Sequence, residues 1–328
     1  MLPIKIKISH PQLWFKYDHW DYINLTQENT GKWLNYQFFI NDRSCKECDF
    51  WVIHENTDIT ETIICPPENV IYIPGEEISN KPYYPSKYLN QFQSIFTARE
   101  DIKAPFVSKG LYLCSWQIKK THSELTNIPF PAKTKKLSAI ISNNTMTAGH
   151  CNRFALINKL KGHLKGQLDW YAKGENFIEN KWDGLVDYEY SIAIENSLHP
   201  NYITEKLMDC FLGYSMPIYL GAPNISDFYP DNSYVNLKNY DYLSCIEIIE
   251  EAIGNKFAVK NKDAIIEARN LVLNHYQFIP LLIEYIEKNK IRWGSTVVKN
   301  KIHPIENFTN VSLFKRAILF SKRKIKNI

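Results

Sequence analysis

The chain has 328 residues, 45% of them hydrophobic and 23% charged, which is enough for two domains and excludes a disordered polymer. No stretch of 18 apolar residues occurs, so no segment reads as a membrane-spanning helix. Seven scattered cysteines, an odd number, exclude a disulfide framework, and the lone Cys45-Lys-Glu-Cys48 pair lacks the further ligands a zinc site needs.

The opening Met1-Leu-Pro-Ile-Lys-Ile-Lys-Ile alternates apolar residues with lysine. It predicts a β-strand rather than a signal peptide, and places the protein in the cytoplasm. Short strands are predicted at 5–8, 49–54, 70–73 and 94–97, with a helix-compatible piece at 85–92. The stretch 127–136 carries two prolines and three lysines and reads as a linker. Beyond it, a strand opens at Leu137, followed by a helix over 150–162 and strands over 168–172 and 188–194. A helix over 201–213 and a strand over 216–220 come next, and a long helical pattern runs from 263 to about 290. Such alternation, with strands too apolar to be half exposed, predicts a parallel sheet covered on both faces. The expected organisation is one unit at 1–130, a second at 134–300 and a tail at 301–328.

Charge is unevenly placed. Six Lys/Arg and no acid lie between Val311 and Ile328, more than the net charge of +4, so the remainder is slightly acidic. If helical, this tail is a basic amphipathic segment suited to reversible contact with an anionic membrane. Aromatic residues reach 14%, which suits either a sugar-binding surface or a large aromatic core.

The densest constellation runs from Tyr190 to Gly221. A buried strand ends at Glu195-Asn196-Ser197, and a loop leads to a helix with the apolar stripe Ile203, Leu207, Cys210, Phe211 and Tyr214. Glu205 and Lys206 fall in its first turn, off that stripe. A helix N-terminus favours phosphate, and a lysine there finds its best use on an anion. Glu205 can accept hydrogen bonds from a ribose diol. Gly213 fits the helix C-terminus.

The pattern E-N-S-x(4)-Y-[IV]-T-E-K followed by P-[IV]-x-x-G resembles the donor-binding signature of the α1,3/α1,4-fucosyltransferases, glycosyltransferase family 10. The resemblance implies a GT-B fold, with two Rossmann-like parallel-sheet domains facing across a cleft. It also implies that the unit at 1–130 binds the acceptor and carries the catalytic base, that the unit at 134–300 binds the donor GDP-fucose, and that transfer proceeds with inversion. By this resemblance Arg153, Glu195, Asn196, Tyr202, Glu205 and Lys206 bind the donor. The strand Val70-Ile-Tyr-Ile-Pro-Gly-Glu76 is similar to the family segment carrying the catalytic base. Glu76 is the candidate, with Glu77 and Glu100 as competitors. The run Leu111-Tyr-Leu-Cys-Ser-Trp-Gln117 fits no acceptor-binding pattern.

The chemistry asks for these residue types. A hydroxyl needs a carboxylate to take its proton, and inversion needs only one such base. Arg153, Lys206 and the helix start can stabilise the departing diphosphate, so no metal or cofactor is expected. The implied partners are a nucleotide sugar and a glycan acceptor, such as GlcNAc or Glc of a bacterial surface polysaccharide, and no nucleic acid. Two other readings are the same fold using a different nucleotide sugar, and a catalytically silent sugar-binding protein.

Overall fold

The computed structural model describes residues 2–309 except 12–21, 77–80, 82, 105 and 175. Eight strands come first: β1 (Ile4–Ser9), β2 (Lys32–Trp33), β3 (Tyr36–Ile40), β4 (Phe50–His54), β5 (Glu61–Cys65), β6 (Val70–Ile73), β7 (Ser94–Thr97) and β8 (Val107–Lys109). Seven of them form one sheet in the order β2-β3-β1-β4-β6-β7-β8, parallel except for β2. Helices α1 (Ser86–Leu89) and α2 (His122–Asn127) accompany it.

The second sheet has the order β10-β9-β11-β12-β13 and is parallel throughout. Its strands are β9 (Lys135–Ile140), β10 (Leu168–Tyr171), β11 (Tyr188–Ile194), β12 (Met216–Leu220) and β13 (Val235–Asn236). Helices α3 (Ala148–His163), α4 (Glu205–Leu212), α5 (Tyr242–Gly254), α6 (Phe257–Lys260) and α7 (Lys262–Leu271) cover its two faces. Strand β11 shows why both faces must be covered. Tyr190, Ile192 and Ile194 pack with Leu156, Ile157 and Leu160 of α3, while Ala193 packs with Leu207 and Phe211 of α4. Each side of this interior strand removes apolar area from water, at roughly 25 cal/mol per Å².

The chain then returns to the first sheet. The helical pattern predicted as one run from 263 to 290 breaks at Gln277, whose side chain caps α8 (Phe278–Lys288) by accepting from the Ile279 amide. Phe278 lies 4.5 Å from Tyr22 and 5.0 Å from His54 between ring centres, and Tyr285 lies 4.5 Å from Phe96. Strand β14 (Val298–Ile302) pairs antiparallel with β5. Residues 278–302, assigned by sequence to the second unit as far as 300, thus complete the first. Burial of Phe278 and Tyr285 against that sheet drives the crossing.

The tail expected from 301 begins later. Ile302 and Ile305 are buried in a cluster with Tyr88, Ile53 and Cys65, and Phe308 packs on it. The basic run from 310 onward lies outside the described residues. Lys7 also departs from simple alternation. It is buried in an interior strand, where its Nζ donates to the Asp42 carbonyl at 2.6 Å and meets Glu61 at 3.3 Å. Among the described residues no helix is long and apolar enough to cross a membrane, and no three His, Cys, Asp or Glu gather as a metal site. All seven cysteines are free thiols.

Candidate active site

Strand order in the second sheet reverses between β9 and β11: the chain leaves β9 for β10 on one side and crosses to β11 on the other. In open α/β sheets a crevice forms at such a reversal, outside the carboxyl ends of the strands. Arg153 spans it. Its Nη2 donates to Ser142 Oγ at 3.2 Å, just beyond β9, and its Nη1 donates to Asn196 Oδ1 at 2.6 Å and the Ile194 carbonyl at 3.4 Å, at the end of β11. The side chain is buried, and Nε has no hydrogen-bond partner among the described residues. Burial lowers the guanidinium pKa, opposed by the charges of Glu195 and Glu205.

The helix expected over 150–162 would put Arg153 in its first turn. It lies in the second turn, because α3 begins at Ala148 after the Thr147 cap. Helical side chains lean toward the N-terminus, and that lean carries the guanidinium back to the strand ends. Gly149 makes the approach possible, since a Cβ there would stand 1.9 Å from the Asn196 carbonyl oxygen.

Glu195 is fully buried. Its Oε1 accepts from the Thr204 amide at 2.8 Å, its Oε2 accepts from Thr204 Oγ1 at 2.6 Å, and Lys206 Nζ approaches to 3.5 Å. Burial raises its pKa, with Lys206 pulling the other way. Thr204 is also the cap of α4, accepting from the Lys206 amide. The helix expected from 201 therefore starts at Glu205, because Thr204 is held extended by the buried carboxylate. Lys206 Nζ also contacts Glu205 Oε1 at 3.0 Å. Burial alone would push the Glu205 carboxyl up, but Lys206 and then Lys181 outweigh it and hold the pKa at about 2. Burial would lower the Lys206 ammonium, and Glu205 and Glu195 raise it instead.

Tyr202 precedes this cluster, buried, with its ring centre 5.1 Å from that of Tyr112. Within α4, the buried Asp209 pairs with Lys181 at 3.1 Å and accepts from the Gln117 amide at 2.8 Å. Gly213 does follow α4, but with φ −78°; the left-handed residue is Tyr214 at φ 58°. Glycine is needed at 213 because a Cβ would stand 2.6 Å from Leu185 Cβ.

Glu76 lies beyond β6, in the first unit. Its loop is fixed by groups that sequence reasoning did not name. Glu55, at the end of β4 with φ 67°, accepts from the Gly75 amide at 2.8 Å and from Tyr84 Oη at 2.7 Å, and pairs with Lys81. Arg99 Nη1 donates to the carbonyls of Glu76 at 3.1 Å and Lys81 at 2.7 Å. Tyr112 Oη donates to the Gly75 carbonyl at 2.5 Å. Glu100 is 74% exposed, with Lys109 at 4.0 Å, outside this network. Glu77 lies outside the described residues.

Residues 130–251, which hold the Arg153–Lys206 cluster, match the model for glycosyltransferase family 10 (fucosyltransferase), C-terminal part. This region belongs to family 10. An α-(1,3)-fucosyltransferase of Helicobacter pylori is 33% identical over 67 residues, which is 20% of this chain and 14% of that protein. An α-(1,4)-fucosyltransferase of Arabidopsis thaliana is 35% identical over 101 residues, 29% of this chain and 25% of that protein. A human 4-galactosyl-N-acetylglucosaminide 3-α-L-fucosyltransferase is 28% identical over 115 residues, 34% and 31% of the two chains. The chain thus spans less than a third of the length of these relatives. A crystal structure of an α1,3-fucosyltransferase with GDP-fucose superposes with a TM-score of 0.51 at 16% identity, covering 90% of this chain and 91% of that one. The fold is GT-B.

The family 10 region brings five of the six expected donor residues, Arg153, Glu195, Asn196, Glu205 and Lys206, into one charged cluster at the carboxyl ends of β9 and β11. Tyr202 sits beside it. Thr204 was missed as a link, although it stands inside the recognised motif. Its signal was legible, because a threonine directly before a helix is a capping residue. Lys181, Glu55, Arg99 and Tyr112 carried no such signal, because each acts on a partner distant in the chain.

Proposed function

We propose that this chain is an inverting transferase that moves fucose from GDP-fucose to a hydroxyl of a glycan. The observation that carries this reading is Arg153 bridging the ends of β9 and β11, with Lys206 nearby at the start of α4, inside the family 10 region. A buried guanidinium whose Nε donor has no partner among the described residues, an ammonium and a helix N-terminus supply the positive field a diphosphate needs. Glu205, held ionised, receives the ribose hydroxyls.

Glu76 takes the proton of the acceptor hydroxyl as its oxygen bonds to the anomeric carbon, on the face opposite the leaving group. The bond from that carbon to the diphosphate breaks, and its electron pair goes to the phosphate oxygen. Arg153 and Lys206 stabilise that charge as it grows. The acceptor is a β-linked GlcNAc or Glc unit, joined α1,3, of a bacterial surface polysaccharide such as lipopolysaccharide. The named human relative, which acts on an N-acetylglucosaminide, supports that choice. We place the enzyme in the cytoplasm, where the six cations of the final 18 residues suit contact with an anionic membrane surface.

The test is a panel of nucleotide sugars. GDP-fucose should raise the melting temperature more than other sugar nucleotides at equal concentration, since a ligand bound only to the native state stabilises it. It should also give labelled product on a glycan array, with turnover persisting in EDTA. A stronger shift and turnover with another nucleotide sugar would replace the donor, and loss in EDTA restored by Mn²⁺ would overturn the metal-free mechanism.

A further inference from the structure

The run from Leu111 to Gln117, which matches no acceptor pattern, has a mechanical place in the fold. It is hydrogen-bonded alongside the donor motif. The Tyr112 amide donates to the Asn201 carbonyl at 2.9 Å, Cys114 Sγ reaches the Ile203 carbonyl at 3.9 Å, and the Gln117 amide donates to Asp209 Oδ1 at 2.8 Å. Leu111, Leu113, Cys114, Ser115 and Trp116 are buried. The run is therefore anchored to the segment that carries Tyr202, Glu205 and Lys206.

Tyr112 reaches from this run to the loop that bears Glu76. The ring packs edge-on against Tyr202 at 5.1 Å, and the hydroxyl donates to the Gly75 carbonyl, next to Glu76. We infer that Tyr112 is a positioning residue, setting the loop that bears the base against the donor motif. This rests on the proposed role of Glu76. The physical need is clear. The base and the leaving group sit on different sheets, and an in-line displacement tolerates little error in their separation. A hydroxyl tied to the backbone beside the base, on a ring packed against the donor motif, fixes that separation directly. Glu55 and Arg99 hold the same loop, but only from within the first unit.

The test uses the full chain, GDP-fucose and saturating N-acetyllactosamine, reading GDP release so that water serves as acceptor if the sugar does not. Tyr112→Phe keeps the ring on Tyr202 and removes only the bond to Gly75. It should lower kcat about tenfold, the scale of a misplaced catalytic group, while GDP affinity stays within about twofold. In a Glu76→Gln background the same change should have no further effect, because the group being positioned is gone. Tyr112→Leu, which also loses the ring contact, should lower kcat further and weaken GDP binding. Unchanged kcat in Tyr112→Phe would overturn the inference, as would a loss that multiplies fully with Glu76→Gln. Normal turnover in Glu76→Gln alone would show that the base assignment had failed, and would remove the inference with it.

Discussion

Arg153 and Asn196, 43 positions apart, meet through a hydrogen bond of 2.6 Å that closes the crevice between two strand ends. The guanidinium is buried and keeps one donor without a partner among the described residues. Arg153→Ala should therefore weaken GDP binding by roughly 1.5–3 kcal/mol, the scale of charged hydrogen bonds. Isothermal calorimetry checks this, and unchanged affinity would remove the diphosphate from this crevice.

Lys206 has a structural duty besides. It is the cation between the fully buried Glu195 and the half-buried Glu205. Lys206→Met should lower the melting temperature as well as GDP affinity, since breaking a buried ion pair costs about 3–5 kcal/mol. Protonation of Glu195, whose pKa burial already raises, will trim that cost. Scanning calorimetry showing wild-type stability would mean that Lys206 is not the counter-ion of Glu195.

The two described candidates for the base differ in their surroundings. Glu76 sits in a loop held by Glu55, Arg99 and Tyr112, whereas Glu100 is exposed. Glu76→Gln should cut kcat at least about a hundredfold with GDP affinity unchanged. Glu100→Gln should stay near wild type. The opposite pattern in steady-state assays would transfer the role.

Gly149 tests the approach of helix to turn. An alanine Cβ would lie 1.9 Å from the Asn196 carbonyl oxygen, a backbone atom that cannot swing aside. Gly149→Ala should cost roughly 1–3 kcal/mol of stability, as overpacking does. It should also weaken GDP binding although Arg153 is untouched. Urea unfolding with an unchanged midpoint would show that the turn can shift freely.

Glu205 carries a pH signature. Its folded pKa of about 2 lies below the ordinary glutamate value of 4.5, because Lys206 and Lys181 outweigh burial. A depressed carboxyl contributes stability that is full above the unfolded pKa and is lost as pH falls through the folded one. The advantage of wild type over Glu205→Gln should thus be constant above pH 5 or so, and shrink by on the order of 2–3 kcal/mol toward pH 2. Denaturant midpoints measured across that range decide it; a constant difference down to pH 2.5 would exclude the depressed carboxyl.

Much of the second sheet was legible in the sequence. Strands Tyr188–Ile194 and Met216–Leu220 appear with the bounds expected, as do Val70–Ile73 and Ser94–Thr97 in the first sheet. A strand buried on both faces must be an unbroken apolar run ended by turn residues, so its limits are written locally. Strand Tyr36–Ile40 was not predicted, since Tyr-Gln-Phe-Phe-Ile is short and lies among turn residues without clear signal. The charged cluster at the end of β11 and the start of α4 was also legible, because Glu195, Thr204, Glu205 and Lys206 stand within twelve consecutive residues.

What sequence alone determined is therefore the local chemistry: an alternating α/β chain, the charged motif at a strand end and helix start, and Gly75-Glu76 just beyond the strand Val70–Ile73. Tertiary structure decided the rest. It placed Arg153 in the second turn yet at the crevice, tied Tyr112 to Gly75, paired Lys181 with the buried Asp209, and returned residues 278–302 to the first sheet. Each of these joins residues tens to hundreds of positions apart. Periodicity and capping act over a few residues, so they leave no trace of such pairings; only burial of the two surfaces against each other selects them.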